Sequence, residues 1–137
     1  MEKFQIKTKK KKEVVNITDQ VNSILKKLGA KEGLVHIFVS HTTCCLTTAD
    51  LDPGTDLDML EAIETMFPKG EYRHPHDPSH VGEHIMSSII GPSVTAPVEN
   101  GKVVLGTWQE IVLIELSGPR ERTLSLQFIP HPKTVLK

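Results

Sequence analysis

The second half of the chain consists of short apolar segments separated by turn-forming residues, and this arrangement limits the possible folds more than any other feature. The segments have the composition of strands and cover residues 93–98, 102–106, 111–116 and 123–129. Asn100-Gly101 and Gly118-Pro119, which lie between segments, are typical of tight turns. Tight turns join antiparallel strands, because parallel strands need a long crossover connection. The pattern therefore argues against a parallel doubly wound sheet.

The first half combines strand patterns with helical ones. Phe4 and Ile6 alternate with polar residues, as in a half-exposed strand. Residues 34–40 also alternate, and their predicted core-facing side chains are Leu34, or its neighbours Val35, Ile37 and Val39. Three helices are predicted over residues 19–28, 55–67 and 79–90. They follow the capping residues Thr18, Thr55 and Ser79 and stop at Gly29, Pro68 and Gly91-Pro92.

Length and composition agree with a small globular fold. A chain of 137 residues suits one domain, so we expect a single compact domain over residues 1–137. Aromatic residues make up only 4% of the chain, so the core must consist mainly of Val, Ile and Leu. We therefore predict an α+β fold of mainly antiparallel sheets flanked by about three helices.

Targeting and cysteine usage favour a cytoplasmic location. The chain has no run near the roughly 20 apolar residues that a membrane span needs, and Met1 to Lys12 lacks the apolar core of a signal peptide. Cys44 and Cys45 are neighbours, a spacing that strains a disulfide, so we interpret them as reduced thiols. We expect no membrane association.

Five of the sixteen basic residues lie near the N-terminus, at Lys7 and in the run Lys9 to Lys12. Such a run can contact nucleic acid, but hardly any aromatic side chain is interleaved with it to stack on bases. We therefore interpret these lysines as solvated side chains and expect no nucleic-acid partner.

The strongest chemical signal is a dense group of histidines between Tyr72 and His84. His80 and His84 are four residues apart and share a helix face, while His74 or His76 could approach from the preceding loop. This spacing predicts a divalent metal, zinc or magnesium, bound by His74, His80 and His84. Asp77 is a candidate base or a residue that orients a metal-bound imidazole.

His41 follows the alternating strand and is a candidate general acid or base. The hydroxyl of Thr42, the next residue, is a candidate ligand for anionic oxygens. A structural hydrogen-bonding role for this histidine remains the alternative. A nucleophilic role for Cys44 or Cys45 is less favoured, because the strand pattern buries one thiol and no basic residue adjoins the other.

Polar residues near the strands of the second half complete the candidate site. In the turn Gly106 to Gln109, Thr107 offers a hydroxyl and the Gln109 amide can orient a heterocycle or phosphate. Trp108 either stacks on a ring or fills the core. Glu115 interrupts an apolar strand, which requires that it be paired or face solvent. Arg120 and Arg122, the two guanidiniums of the turn that begins at Gly118, are suited to clamp phosphate, although a solvated turn explains them equally well.

The combination of these motifs resembles the YjbQ-like family, often labelled secondary thiamine-phosphate synthase. The resemblance covers almost the whole chain and is carried by His41-Thr42-Thr43, Asp52-Pro53, Tyr72-x-His74, His84-Ile85-x-Ser87-Ser88, Pro97-Val98, Leu105-Gly106-Thr107-Trp108-Gln109 and Gly118-Pro119-Arg120. Two departures stand out. Residues 46–50 read Leu-Thr-Thr-Ala-Asp where similar proteins often have Leu-Thr-x-Asn-Glu, and His80 stands where relatives carry an acidic residue.

The resemblance implies a homotrimer with the histidine site near a subunit boundary. It also implies a weak activity that joins a pyrimidine diphosphate to a thiazole phosphate with loss of pyrophosphate. The family positions that match this chain are His41, His74, His84, Gln109, Glu115 and Arg120.

Three functions are therefore open at this point. The first is a transferase acting on a small phosphorylated metabolite, with Arg120 steadying the developing charge. The second is a metal-dependent hydrolase in which His74, His80 and His84 activate a bound water and Asp77 or Glu115 is the base, which elemental analysis of the purified protein would test. The third is a non-catalytic trimeric protein that binds a metabolite, which ligand-induced stabilisation without turnover would favour.

Overall fold

The computed structural model describes residues 1–67, 73 and 81–132. The Ser79 cap, the Pro68 stop and the loop histidines lie outside these ranges. Helix α1 covers Thr18–Lys27, α2 Thr55–Met66 and α3 Val81–Ile90. The strands are β1 (Glu2–Lys7), β2 (Glu13–Asn16), β3 (Gly33–Val39), β4 (Cys44–Ala49), β5 (Ser93–Glu99), β6 (Lys102–Val103), β7 (Glu110–Glu115) and β8 (Glu121–Pro130).

The strands form two sheets in which every pair of neighbours is antiparallel. The larger sheet has the order β1-β8-β3-β5-β6 and the smaller one the order β2-β7-β4. The prediction of an α+β fold with mainly antiparallel sheets and three helices is confirmed. None of the helices in the described ranges is long and apolar enough to cross a membrane.

The core has two parts, one on each face of the smaller sheet. Between the two sheets lie inward-facing residues of β3 and β8 together with Val21 and Leu25 of α1. On the other face, Val112 and Ile114 of β7 pack with Ile63 of α2 and Met86 of α3. The smaller sheet is therefore buried on both faces, which explains why the four residues of β7 between Glu110 and Glu115 are all apolar.

Most predicted elements appear within one or two residues of their expected bounds. Val35, Ile37 and Val39 are buried as predicted, and Asn100-Gly101 forms the expected turn with both φ angles positive, 53° and 78°. Two details differ. The predicted strand 102–106 is reduced to Lys102–Val103. Thr18 is the first helical residue and not the N-cap, because its Oγ1 accepts a hydrogen bond from the Ile111 N–H at 2.9 Å.

Three connections pass from one sheet to the other at the same end of the molecule. Residues 8–12 join β1 to β2, residues 40–43 join β3 to β4, and residues 116–120 join β7 to β8. The strand register places them together, since Lys7 pairs with Glu121 and Cys44 pairs with Glu115. We call these three connections, with the strand ends that they join, the crossover edge.

Candidate functional site

A buried ion pair lies beneath the crossover edge. Glu115 ends β7 and Arg122 lies near the start of β8, and their side chains are 0% and 1% exposed. Arg122 Nε donates to Glu115 Oε1 at 2.9 Å, and Arg122 Nη2 forms a second, short contact with Oε2. Of the two alternatives open for a carboxylate in this strand, the structure therefore shows the paired one. An outward charge at Glu115 is excluded.

Hydrogen bonds occupy both oxygens of the Glu115 carboxylate. Thr8 Oγ1 donates to Oε1 at 2.7 Å, and the Leu116 and Ser117 N–H groups donate to Oε2 at 3.0 and 3.1 Å. Burial by itself would raise the pKa of Glu115, but the hydrogen bonds from Arg122 and Thr8 lower it below its ordinary value. Glu115 is thus an ionised acceptor at neutral pH. This geometry suits a positioning role better than proton transfer.

Arg122 connects the ion pair to the loop that carries His41. Its Nη2 donates to the carbonyl oxygen of Thr43 at 3.1 Å and to Thr43 Oγ1 at 2.9 Å. Burial would lower the pKa of Arg122, but its bond to Glu115 raises it, so the guanidinium stays charged. The backbone of residues 40–43 is therefore fixed from below by a buried cation.

His41 is half-buried at the end of β3, and its hydrogen bonding defines its tautomer. The Thr123 N–H donates to His41 Nε2 at 2.9 Å, so the proton of the neutral ring is on Nδ1. Burial lowers the pKa of His41, and the nearby Arg122 and Arg120 lower it further, against the opposing effect of Glu115. His41 is therefore neutral at pH 7 and presents an N–H donor rather than a free basic nitrogen.

Arg120 is exposed at the crossover edge, with its base fixed and its tip uncommitted. The backbone N–H of Arg120 donates to Thr8 Oγ1, and the backbone carbonyl of Arg120 accepts from the Thr8 N–H, both at 2.9 Å. Its Nε donates to the Ser117 carbonyl at 2.8 Å. Within residues 1–67, 73 and 81–132, its terminal amino groups form no hydrogen bond or ion pair. Thr42, beside His41, is also exposed.

The turn Gly106 to Gln109 lies at the opposite end of β7 from Glu115. Six residues of strand separate Gln109 from Glu115 by about 20 Å, so within one chain this turn does not join His41 and Arg120. Gln109 stabilises its own surroundings, since Oε1 accepts from the Gly106 N–H and Nε2 donates to Thr48 Oγ1, both at 3.0 Å. Thr107 is exposed, and Trp108, 69% exposed, does not fill the core.

Most of the predicted metal site falls outside the described residues. His74, Asp77 and His80 are not described, whereas His84 lies on α3 and is half-buried. Among the residues that the structure describes, no three His, Cys, Asp or Glu side chains are placed to hold a metal ion. The divalent metal and its convergence with His41 therefore stay predictions.

The two cysteines are buried on opposite faces of β4. Cys44 packs in the core between the sheets and Cys45 packs under α2 and α3. Burial raises the pKa of Cys44 to about 11 and that of Cys45 to about 12. Both are protonated at neutral pH and shielded from solvent, which argues against a nucleophilic role.

Thr8 is not among the predicted site residues, and Arg122 is predicted only as a phosphate-clamping or solvated residue of the turn, whereas the structure buries it against Glu115. Arg122 had a sequence signal that could have revealed this burial. It lies two and four residues before Leu124 and Leu126, so it shares their inward-facing register on β8. A cation in that register is the expected partner for a carboxylate inside an apolar strand. Thr8 has no comparable signal, because its role depends on tertiary contacts alone.

Comparison with known proteins finds a family match over nearly the whole chain. The model of the family described as "UPF0047 protein YjbQ-like" matches residues 2–131. A UPF0047 protein of Archaeoglobus fulgidus is 39% identical over 118 residues, which is 85% of this chain and 91% of that protein. The UPF0047 protein YugU of Bacillus subtilis is 35% identical over 127 residues, which is 92% of this chain and 96% of that one.

Solved structures agree with the sequence comparison. The crystal structure of a hypothetical protein from Aeropyrum pernix is 34% identical, with a TM-score of 0.86, and covers 95% of this chain and 98% of that one. A YbjQ-like protein of unknown function from Sulfolobus solfataricus, also 34% identical, gives a TM-score of 0.87 and covers 95% of this chain and 96% of that one. The protein described here therefore belongs to the YjbQ-like UPF0047 family.

Proposed function

We propose that the crossover edge binds the phosphate group of a small phosphorylated metabolite between His41 and Arg120. The observation that carries this proposal is the pairing of a neutral N–H donor with an uncommitted guanidinium tip at one edge of the fold. A guanidinium recognises phosphate with two parallel hydrogen bonds, and a neutral imidazole adds a directed donor. The exposed hydroxyl of Thr42 supplies a further group of the right chemistry.

The buried network supports this role by holding the donors in place before a ligand arrives. Arg122 and Glu115 neutralise each other, so they fix the loop at Thr43 without attracting the ligand themselves. Thr8 joins that pair to the Arg120 backbone. Preorganised donors lose little entropy when they meet an anion, which favours binding and transition-state stabilisation.

For the reaction, we propose a transferase step of the thiamine-phosphate synthase type. The bond between the pyrimidine-bearing carbon and its diphosphate oxygen breaks, and its electron pair leaves with pyrophosphate. The thiazole phosphate supplies the electron pair of the new bond to that carbon. Arg120 and His41 would stabilise the charge that develops on the leaving group. No step is assigned to a metal, since His84 is the only predicted ligand within the described ranges.

Replacing Arg120 with alanine is expected to weaken binding of inorganic phosphate by about tenfold to a hundredfold, the effect of losing a charge-assisted bidentate contact of about 1.5–3 kcal/mol. Isothermal titration calorimetry measures this directly. Arg120→Lys keeps the positive charge but loses the two parallel N–H groups of the guanidinium. Its affinity for phosphate should therefore lie between those of the wild type and Arg120→Ala. Equal phosphate affinity in all three proteins would contradict the proposed site.

The same proteins distinguish catalysis from binding alone. Wild-type protein supplied with the two thiamine precursors should release pyrophosphate above the blank rate, and Arg120→Ala should be slower. Phosphate binding without turnover would leave the non-catalytic metabolite-binding function and remove the transferase.

We also propose that the chain is a cytoplasmic homotrimer. The reduced state of two buried thiols supports the compartment. Self-association is supported by the outer face of the larger sheet, where Leu34, Phe38 and Ile129 are 45%, 40% and 52% exposed, and three is the number of copies that the family resemblance implies. Light scattering coupled to size-exclusion chromatography should give about three times the 15.2 kDa chain mass. A monomer mass would contradict this prediction.

A further inference from the structure

The lysine run of the N-terminal segment forms part of the same edge as the proposed phosphate site. The Gly118 N–H donates to the Lys11 carbonyl at 2.8 Å, and the Thr8 N–H donates to the Arg120 carbonyl at 2.9 Å. The backbone of residues 8–12 is thus bound at two points to the turn that carries Arg120. The positions of the lysines relative to Arg120 are therefore fixed by the fold.

Several of these cations form no ion pair with any residue that the structure describes. Lys12 pairs with Glu64 and Lys7 lies opposite Glu121 in the register of β1 and β8. Lys9, Lys10 and Lys11 are exposed, and they form no ion pair within the described part of the chain. Arg120 likewise forms no ion pair within the described part of the chain.

One carboxylate reduces this positive charge without cancelling it. Glu13 Oε1 accepts a hydrogen bond from the Lys9 N–H at 2.7 Å, so it lies against the loop. The four cations Lys9, Lys10, Lys11 and Arg120 less this one carboxylate leave a net charge of +3 at the edge. A phosphate monoester carries only about −1.5 to −2 at neutral pH. The edge therefore carries more positive charge than one phosphate group neutralises.

We propose that residues 8–12, the basic loop, extend the phosphate site. The crossover edge would then bind a chain of at least three phosphates, as in a linear polyphosphate or a polyphosphorylated small molecule. This inference rests on the proposed function, because it assigns one phosphate to His41 and Arg120 and the following ones to Lys10 and Lys11. In this arrangement the positive charges of Arg120, Lys10 and Lys11 bind the phosphate groups and no other part of the ligand. Residues 8–12, 40–43 and 116–120 contain no Phe, Tyr or Trp, so apart from the ring of His41 the edge lacks the stacking surface that a nucleic acid would use.

Titration calorimetry with orthophosphate and sodium tripolyphosphate, without divalent metal, tests the inference. Wild-type protein should bind tripolyphosphate at least about tenfold more tightly than orthophosphate, because the longer anion forms further charge pairs with Lys10 and Lys11. The double variant Lys10→Ala/Lys11→Ala should bring the two affinities within about threefold of each other. Its orthophosphate affinity should stay close to that of the wild type.

The matched control is Lys26→Ala/Lys27→Ala, which removes the same charge from exposed positions at the end of α1. Lys27 lies near Glu2 at the start of β1, away from the crossover edge. This control should keep the wild-type preference for tripolyphosphate. An equal loss in both double variants would overturn the inference, since it would show an unspecific effect of net charge.

Two further outcomes would also overturn it. Equal affinity of the wild type for the two phosphates would remove the extended site and leave the single phosphate site, which the Arg120→Ala titration tests separately. Tighter binding of a twelve-residue oligothymidylate than of tripolyphosphate, with the same dependence on Lys10 and Lys11, would assign the surface to single-stranded nucleic acid.

Discussion

Replacing Arg122 with alanine should lower the free energy of unfolding by about 3–5 kcal/mol, because it leaves the Glu115 carboxylate buried without its cation. The midpoint of thermal unfolding should fall by about 10–20 °C in a chain of this size. The loss combines two effects. The buried charge of Glu115 becomes unpaired, and the Thr43 carbonyl and hydroxyl lose their donor. Denaturation in guanidinium chloride, followed by circular dichroism, measures the difference.

Lys12→Ala is the matched control, since it breaks an ion pair near the same edge that is partly exposed to solvent. The side chains of Lys12 and Glu64 are 23% and 50% exposed, and such pairs contribute about 0–1 kcal/mol. The double variant Arg122→Met/Glu115→Leu should be more stable than Arg122→Ala, because an apolar pair leaves no orphan charge. A loss in Arg122→Ala no larger than that in Lys12→Ala would show that the buried pair does not stabilise the fold.

The pH dependence gives an independent check with a defined sign. The folded-state pKa of Glu115 lies below its ordinary value of 4.5, so its contribution to stability is present above that pH and is lost as the pH falls through the folded pKa. In Arg122→Ala the carboxylate lacks its cation and becomes protonated at a higher pH. The stability gap between the two proteins should therefore narrow as the pH is lowered.

Local patterns predicted the antiparallel strands but missed two elements. The period of two in residues 34–40 and the Asn100-Gly101 turn are both encoded within a few residues, and both appear in the structure. Strand β4 has no such period, because its first three residues are all buried, some in each part of the core. Strand β2 is only four residues long and directly follows the lysine run. Sequence alone gave no basis for placing either.

The candidate site likewise contains residues that local sequence could identify and residues that only the tertiary structure reveals. His41 and Arg120 could be selected from residue type and position at strand ends, and both lie at the crossover edge. The separation of Gln109 from Glu115 could also have been read from the sequence, since the predicted strand over residues 111–116 starts after Gln109 and carries Glu115 near its other end. Thr8 and Glu115 are 107 residues apart in the chain, and only the tertiary register of the two sheets brings their side chains to 2.7 Å.

Gly118→Ala is the second substitution expected to have a large effect, because the turn and the basic loop touch at this residue. A Cβ at Gly118 would clash with the backbone carbonyl oxygen of Lys10. It would also lie 2.8 Å from Thr8 Oγ1 and 2.9 Å from Glu115 Cγ, both shorter than ordinary contacts of a Cβ atom. The carbonyl belongs to the backbone, so relief requires the whole loop to move. We expect a loss of about 2–3 kcal/mol in unfolding free energy, in the range of overpacked sites.

The displacement should also weaken ligand binding, since the loop carries Lys10 and Lys11 and its Thr8 holds the Arg120 backbone. Gly82→Ala is the matched control: among the described residues its Cβ would meet only Met86 Cε at 3.9 Å, and alanine stabilises a helix relative to glycine by up to about 1 kcal/mol. Chemical denaturation and the tripolyphosphate titration should both separate the two variants. A Gly118→Ala protein as stable as Gly82→Ala, with wild-type tripolyphosphate affinity, would mean that the loop tolerates separation from the turn. The cations of the edge would then not be held in fixed positions by this contact.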